Sequence, residues 1–458
     1  MPDLWGIDDT NIYEYTAGVE TSKGSLPASH DGFNQLGGPF CAWYGGLLYV
    51  ATRDTVDTTQ IDVYTWDPVT GDWTGGTGTE TVSHAMTANL AGTTSGCSMI
   101  VAEGKLHLFL VTGNATATRA TYDGTSWTET NYTGVTGVSS TNGALHQPTY
   151  FRGSVYLVAG QSANGNAADA SNVFGFDVDG SGVTLVSLAV SRQLSIGLHD
   201  NRLFIVEILL TSAVPVIKHW DGASLVTATG TGFVAQTGAR AAVFTQTVTA
   251  GIRLFVMMSN NTGQTFLYQS SDRGENWTDV STTFGAPNFL VEKYLSVYLD
   301  DTELFDASPR QVYIAAVDSD TTPQSIVYCW DGSVTGFVLR HTTANDTGHS
   351  LNWFQDDIPH IRIEAALDNK DGTADIDYKI YDPNSSTCEI EFLFSEDQGA
   401  TWILCSNPAA ADSSGHDGTD NLPSHPTAPL TLIFVWNHST DGVAEGTTVL
   451  IKGIARIT

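Results

Sequence analysis

The chain has 458 residues, of which 41 % are hydrophobic and only 15 % charged, with 45 glycines. That composition excludes disordered and coiled-coil classes and points to a β-rich globular protein. Fifty acidic residues against 19 basic ones give a net charge of −31, which argues against nucleic-acid partners and against anionic membrane surfaces, because both demand a basic face.

In chain order, the opening "MPDLWGIDDTNIYEY" has neither the basic nor the apolar region of a signal peptide, so the expectation is a protein made in the cytoplasm that uses no general secretory route. "DLWGIDDTNIYEYTAG" reads as two strands joined by a turn. A hydrophobic strand then recurs just after a Gly or Asn turn: "GGLLYVAT", "GKLHLFLV", "GSVYLVAG", "DNRLFIVE", "GIRLFVMM" and "PRQVYIAA". Its central residues are Tyr49, His107, Tyr156, Phe204, Phe255 and Tyr313, 48 to 58 residues apart. A second strand follows each and leads into an aspartate: Asp67, Asp123, Asp177, Asp221, Asp272 and Asp331. Two registers drifting together at about fifty residues mark one repeated supersecondary unit, and that is the period of a β-propeller blade. Each Asp stands where a strand enters a tight turn, with Gly directly after it in three of the six copies, so its carboxylate is expected to accept turn N–H groups and do no catalysis.

The N-terminal segment has no complete blade of its own, and "HSLNWFQDD" at 349–357 is a strand-like remainder before the pattern changes. The two together amount to one blade. We therefore expect seven blades over residues 1–356, closed by the N-terminal strands with Trp5, Tyr13 and Tyr15 in the closing sheet, and six blades with an N-terminal extension as the alternative.

Two stretches, "SSDRGENW" and "SEDQGATW", carry the S-x-D-x-G-x-x-W pattern through Ser270, Asp272, Gly274 and Trp277, and through Ser395, Asp397, Gly399 and Trp402. They resemble the Asp-box of sialidases and other propellers, which implies a structural hairpin turn away from any catalytic face. "YTWDPVTGDW", ending at Trp73, resembles a kelch-type hairpin. Residues 357–458 read as alternating strands at sandwich spacing. They resemble the fibronectin-like modules of tailed-phage virion proteins through Tyr381, Asp382, Pro383, Ser395, Asp397, Gly399 and Trp402, with Phe434 to Trp436 echoing the end of such modules. "NHSTDG" stands where those modules carry a second aspartate motif.

Chemistry is sparse. A sialidase, by resemblance, would need three arginines converging on a carboxylate, a Tyr–Glu nucleophile pair and an acid Asp. The nearest approach to its arginine start is "SPR" ending at Arg310. The adjacent pairs Asp8/Asp9, Asp300/Asp301 and Asp356/Asp357 would point to opposite faces of a strand. "DVDGSG" (177–182) and "DNKDGTADID" (368–377) have the density of calcium loops without the ligand spacing. His146 and His219 read as loop or packing residues. Five cysteines show no zinc spacing, and Cys388 and Cys405 are expected on neighbouring strands, near enough that a disulfide would depend on the medium.

The resulting expectation is no catalytic residue, cofactor or metal, and a non-enzymatic structural or adhesion component of a tailed-virus particle, of nozzle or fibre type. Its partners would be other virion proteins in a symmetric assembly or homo-oligomer, and a host-surface glycan. The alternative is an exported carbohydrate-binding or glycoside-cleaving propeller.

Overall fold

A computed structural model describes residues 4–457 apart from 26–29, 32–39, 55–59, 76–80, 88–95, 136–147, 160–169, 300–311, 343–351, 356–359, 397–402, 408–416 and shorter stretches. The described residues form strands and turns with no helix, so none is a helix able to cross a membrane. The fold is all-β and propeller-like.

Among the described residues up to 355, seven antiparallel sheets occur. Sheet 1 lies within residues 30–87, with Phe40–Tyr44, Leu47–Asp54 and Gln60–Asp67 as its three long strands. Sheets 2 to 6 are four-stranded meanders within 96–133, 149–190, 192–227, 240–279 and 291–342. Sheet 7 joins the two ends of this array. Its strands are Val19–Ser25, Asn11–Thr16, Leu4–Ile7 and Asn352–Gln355, in that order. Leu4 lies opposite Gln355 and Ile7 opposite Asn352, while Leu4 also pairs with Tyr15 and Ile7 with Ile12. "NIYEYTAG" and the 349–357 remainder thus share a sheet, with Leu4–Ile7 between them. The side chains of Trp5, Tyr13 and Tyr15 lie outside the described residues.

The second strand of several meanders is buried without alternation: Leu106–Leu110, Val155–Val158 and Leu254–Met258 are buried at every position, His107 included. A strand with one wet face would alternate instead. The cause is that sheets 1 to 5 are each packed on both faces. Alternate residues of Arg202–Leu209 join different cores: Leu203 and Ile205 pack with Phe151 and Tyr156 of sheet 3, while Phe204, Val206 and Ile208 pack with Ala241 and Val243 of sheet 5. Equivalent clusters bind sheets 1 to 2, 2 to 3 and 5 to 6, and Ile12 of sheet 7 packs with Trp43, Leu48 and Trp66 of sheet 1.

Beyond residue 359, His360–Asp368, Ala374–Tyr381 and Leu432–Trp436 make one sheet. Thr387–Ser395 pairs with Ile403–Leu404, Leu422–Pro423 and Leu450–Ile457 in another. Residues of both share a core around Tyr378, Phe392, Phe394, Phe434 and Trp436.

One expectation is corrected here. Cys388 and Cys405 are both in this core, but the register places Leu404 opposite Leu393, and the Cys405 N–H donates to Phe392 O at 2.8 Å. Cys405 is therefore four strand residues from Cys388, roughly 13 Å at the usual rise, and the two cannot be bridged. Both are free thiols, and burial pushes the Cys388 thiol up to about 11.

Candidate functional site

The residues singled out by the sequence converge on the turns between the third and fourth strands of the sheets. Asp123 Oδ1 accepts from the Thr125 N–H at 2.8 Å and the Ser126 N–H at 2.8 Å. Asp221 Oδ1 accepts from Ala223 N–H at 2.9 Å and Ser224 N–H at 2.7 Å, and Asp331 Oδ1 from Ser333 N–H at 2.9 Å. These amide donors, that of Ser126 first, hold the Asp123 carboxyl below its ordinary range, and those of Ser224 and Ala223 do the same for Asp221. A carboxylate so engaged has little basicity to offer a substrate.

The Asp-box at 270–277 is the most elaborate of these turns. Ser270 Oγ donates to Asp272 Oδ1 at 2.8 Å and accepts from Gly274 N–H at 2.9 Å. Asp272 Oδ1 and Oδ2 accept from the Asn276 backbone at 2.9 Å and side chain at 2.7 Å. Partial burial works to raise the Asp272 pKa, but the Asn276 and Ser270 hydrogen bonds outweigh it and the net direction is down. Trp277, buried, donates Nε1–H to Gly274 O at 2.9 Å. Gly274 has φ +86, and a Cβ there would lie 3.1 Å from Ile217 and 3.5 Å from Phe204 of sheet 4, so the turn is pressed against the preceding sheet.

That contact is reciprocal. Thr231 N–H, from the stretch following sheet 4, donates to Glu275 O at 3.0 Å, and Trp277 N–H returns a bond to Thr231 O at 2.8 Å. Thr229 N–H reaches Glu275 Oε2 at 2.8 Å, and Phe233 packs on Trp277 with centroids 4.8 Å apart. Other seams carry the same device with different side chains. Arg119 of sheet 2 donates to Asp177 O at 2.6 Å and Gly180 O at 3.3 Å in sheet 3. Arg152 of sheet 3 donates to Asp221 O at 2.5 Å in sheet 4, and Gln246 of sheet 5 to Trp330 O at 3.1 Å in sheet 6. Trp73, at the kelch-like hairpin, donates to Ser25 O of sheet 7 at 2.9 Å. The turn face is a set of joints between neighbouring sheets.

The calcium-like loop at 177–182 is one such joint, and the Arg119 guanidinium already occupies its carbonyls. In 368–377, Asp368 accepts from Lys370 N–H at 2.8 Å, Asp371 from Thr373 N–H at 3.0 Å and Asp375 from Asn369 Nδ2 at 2.9 Å. No cluster of His, Cys, Asp or Glu suited to a metal occurs among the described residues.

His219 is buried in the seam between sheets 4 and 5. Asp397, Gly399 and Trp402, the three acidic pairs, His146 and Arg310 lie outside the described residues. Reasoning from sequence missed Arg119, Arg152, Glu275 and Gln246, which carry no local motif. It also missed His84, stacked on Trp127 at 4.6 Å and 3.1 Å from Glu129, and the buried Lys218–Glu207 ion pair.

No family model and no curated protein matches the chain. Among solved structures, it is similar to the fungal lectin of Aleuria aurantia, described as a six-bladed β-propeller with fucose recognition (13 % identity, 70 % of this chain, 98 % of that one, TM-score 0.40). It is similar to AofleA of Arthrobotrys oligospora (11 %, 73 % and 95 %, TM-score 0.40) and to a prolyl endopeptidase (11 %, 82 % and 51 %, TM-score 0.42). The fold assignment rests on the strand pairings of the chain itself.

Proposed function

We propose that the chain is a non-enzymatic adhesion or structural component: a seven-bladed β-propeller over residues 1–356, closed by its N-terminal strands, followed by a fibronectin-like β-sandwich over 357–458. The observation that carries this reading is the use made of the turn aspartates. Asp123, Asp221, Asp272 and Asp331 each accept turn N–H groups, and the carbonyls of Asp177 and Asp221 accept guanidinium donors from the preceding sheet. Groups engaged in this way hold a scaffold together and leave acid–base work undone. On the sequence resemblance of residues 357–458 to tailed-phage modules, the reading assigns this scaffold to a virus particle, with other virion proteins as partners.

A glycan is the ligand class we assign to it. With 50 acidic residues and 19 basic, the surface repels polyanions, whereas a neutral polyhydroxyl ligand meets no such penalty. An exported carbohydrate-binding propeller is the second reading, favoured by the same charge argument. A glycan array, read for both binding and hydrolysis and run beside co-sedimentation with candidate virions, tests both readings. Binding without turnover is expected. Hydrolysis lost in Asp272→Ala at unchanged melting temperature would contradict the non-enzymatic reading.

A further inference from the structure

The joint between sheets 4 and 5 holds two histidines, His199 and His219. His199 ends the strand Arg192–His199, and its Nδ1 lies 3.1 Å from Thr245 Oγ1 of sheet 5. The Thr245 hydroxyl donates its single proton to Leu198 O at 2.6 Å, so it accepts from His199. The network thereby assigns the neutral imidazole its proton on Nδ1. His219, also facing sheet 5, is 8 % exposed, and its Nδ1 is buried without a hydrogen-bond partner. Phe204 stands between the two rings, 5.8 Å from His199 and 5.7 Å from His219, and the Asp-box turn presses on Phe204 through Gly274.

The charges around this pair are mostly cationic. Arg273, at φ +61 beside Gly274, and Arg253 act on His199. Arg202 and Arg273 act on His219 against Glu275 and Asp221. Those acids are already engaged, Glu275 by Thr229 N–H and Asp221 by Ala223 and Ser224. Asp272 is held by Asn276, and Asp279 by Ser281. Glu207 and Lys218 pair with each other, and their alternate positions face sheet 3. Arg192 and Arg240 pair with Leu209 and Ser259, at the far ends of their strands. Burial first, and the arginines next, lower His199 to about 4 and His219 in the same direction. Sheets 1 and 2 make the contrast: burial lowers His84 too, but there the Glu129 carboxylate at 3.1 Å works against that lowering and pairs with an imidazolium.

We propose that the joint between sheets 4 and 5 is an acid-release joint: protonation of His199 and His219 separates these two sheets while the joint between sheets 1 and 2 holds. An opened joint returns both imidazoles to water, where they titrate near 6.5. The open state therefore binds more protons below that point, and closure, complete above about pH 6.5, weakens as pH falls toward the folded values. Between about pH 7 and pH 5 carboxylates stay ionised, so the histidines act alone.

Hydrogen exchange of the full chain at those two pH values, corrected for intrinsic rates, reads the effect. Protection in 192–199 and 240–248 is expected to fall by roughly tenfold or more at the lower pH, with the sheet 1 strands Leu47–Asp54 and Gln60–Asp67 unchanged. The double variant His199→Asn, His219→Phe keeps a donor where Nδ1–H stood and an apolar ring at the unpartnered position, and should retain protection. Arg273→Asn, at a position where Asn tolerates positive φ, should lose less protection than the wild type. Equal loss at both joints in the wild type would overturn the proposal. So would an undiminished loss in the double variant or, should that variant not fold, in Arg273→Asn.

Discussion

Asp272 and Gly232 separate two kinds of residue in the turn joints. Asp272 accepts three hydrogen bonds from Ser270 and Asn276, so Asp272→Ala should lower stability by about 2 kcal/mol, at roughly 1 kcal/mol per net bond with partial relaxation. Gly232, at φ +106, has Trp277 O only 2.0 Å from where a Cβ would stand. Gly232→Ala forces backbone apart at strained φ and should cost at least as much, about 1–3 kcal/mol from strain alone before the clash is counted. Urea denaturation of both variants checks the pair, and a Gly232→Ala protein as stable as wild type would show that the joint is not close-packed. His107, fully buried between Ala102 O at 3.1 Å and Thr121 Oγ1 at 3.3 Å, is lowered to about 3, by burial first and then by Arg119. Unfolded, it binds a proton near 6.5. Its contribution to stability is thus present above about pH 6.5 and is lost as pH falls toward 3. Phe204 and Phe255 fill the corresponding positions elsewhere, so His107→Phe should flatten the fall of melting temperature between about pH 6.5 and 4.5. An unchanged slope would assign the acid response to other groups.

At the scale of elements, the strands and Asp turns were legible because their causes are local: apolar runs, a Gly after the strand and a carboxylate within reach of the next amides. The joints were not, because Arg119 and Asp177, or Gln246 and Trp330, meet only after consecutive sheets stack. Likewise the apolar runs showed strands without showing that both their faces are buried. The cysteine pairing failed at register, since the strand Ile403–Leu404 meets Thr387–Ser395 near its far end. The N-terminal strands were legible as an incomplete unit that the 349–357 remainder could complete. Because Leu4–Ile7 and Asn11–Thr16 supply two of the four strands of sheet 7, and Ile12 fills the core against Trp43 and Trp66, deleting residues 1–18 should lower the melting temperature of the whole array. Trimming an unattached terminus would leave it nearly unchanged. Thermal unfolding of the truncated chain measures this, and an unaltered midpoint would contradict the role given to these strands.

For the molecule as a whole, a row of sheets packed face to face must close or leave strand edges and apolar faces open to other copies. Pairing of Leu4–Ile7 with Asn352–Gln355 joins segments about 350 residues apart in sequence, so it ties unfolding of one end of the array to the other. The same pairing made between two chains would build a swapped dimer with identical local contacts, and the two arrangements imply different oligomeric states. The direct measurement is a cysteine cross-link. Trp5→Cys and Phe354→Cys, which face each other across the ladder, are oxidised in a mixture of isotopically light and heavy chains refolded together, and the linked peptides are weighed. Self-closure predicts light–light and heavy–heavy links only; light–heavy links in statistical proportion would contradict it.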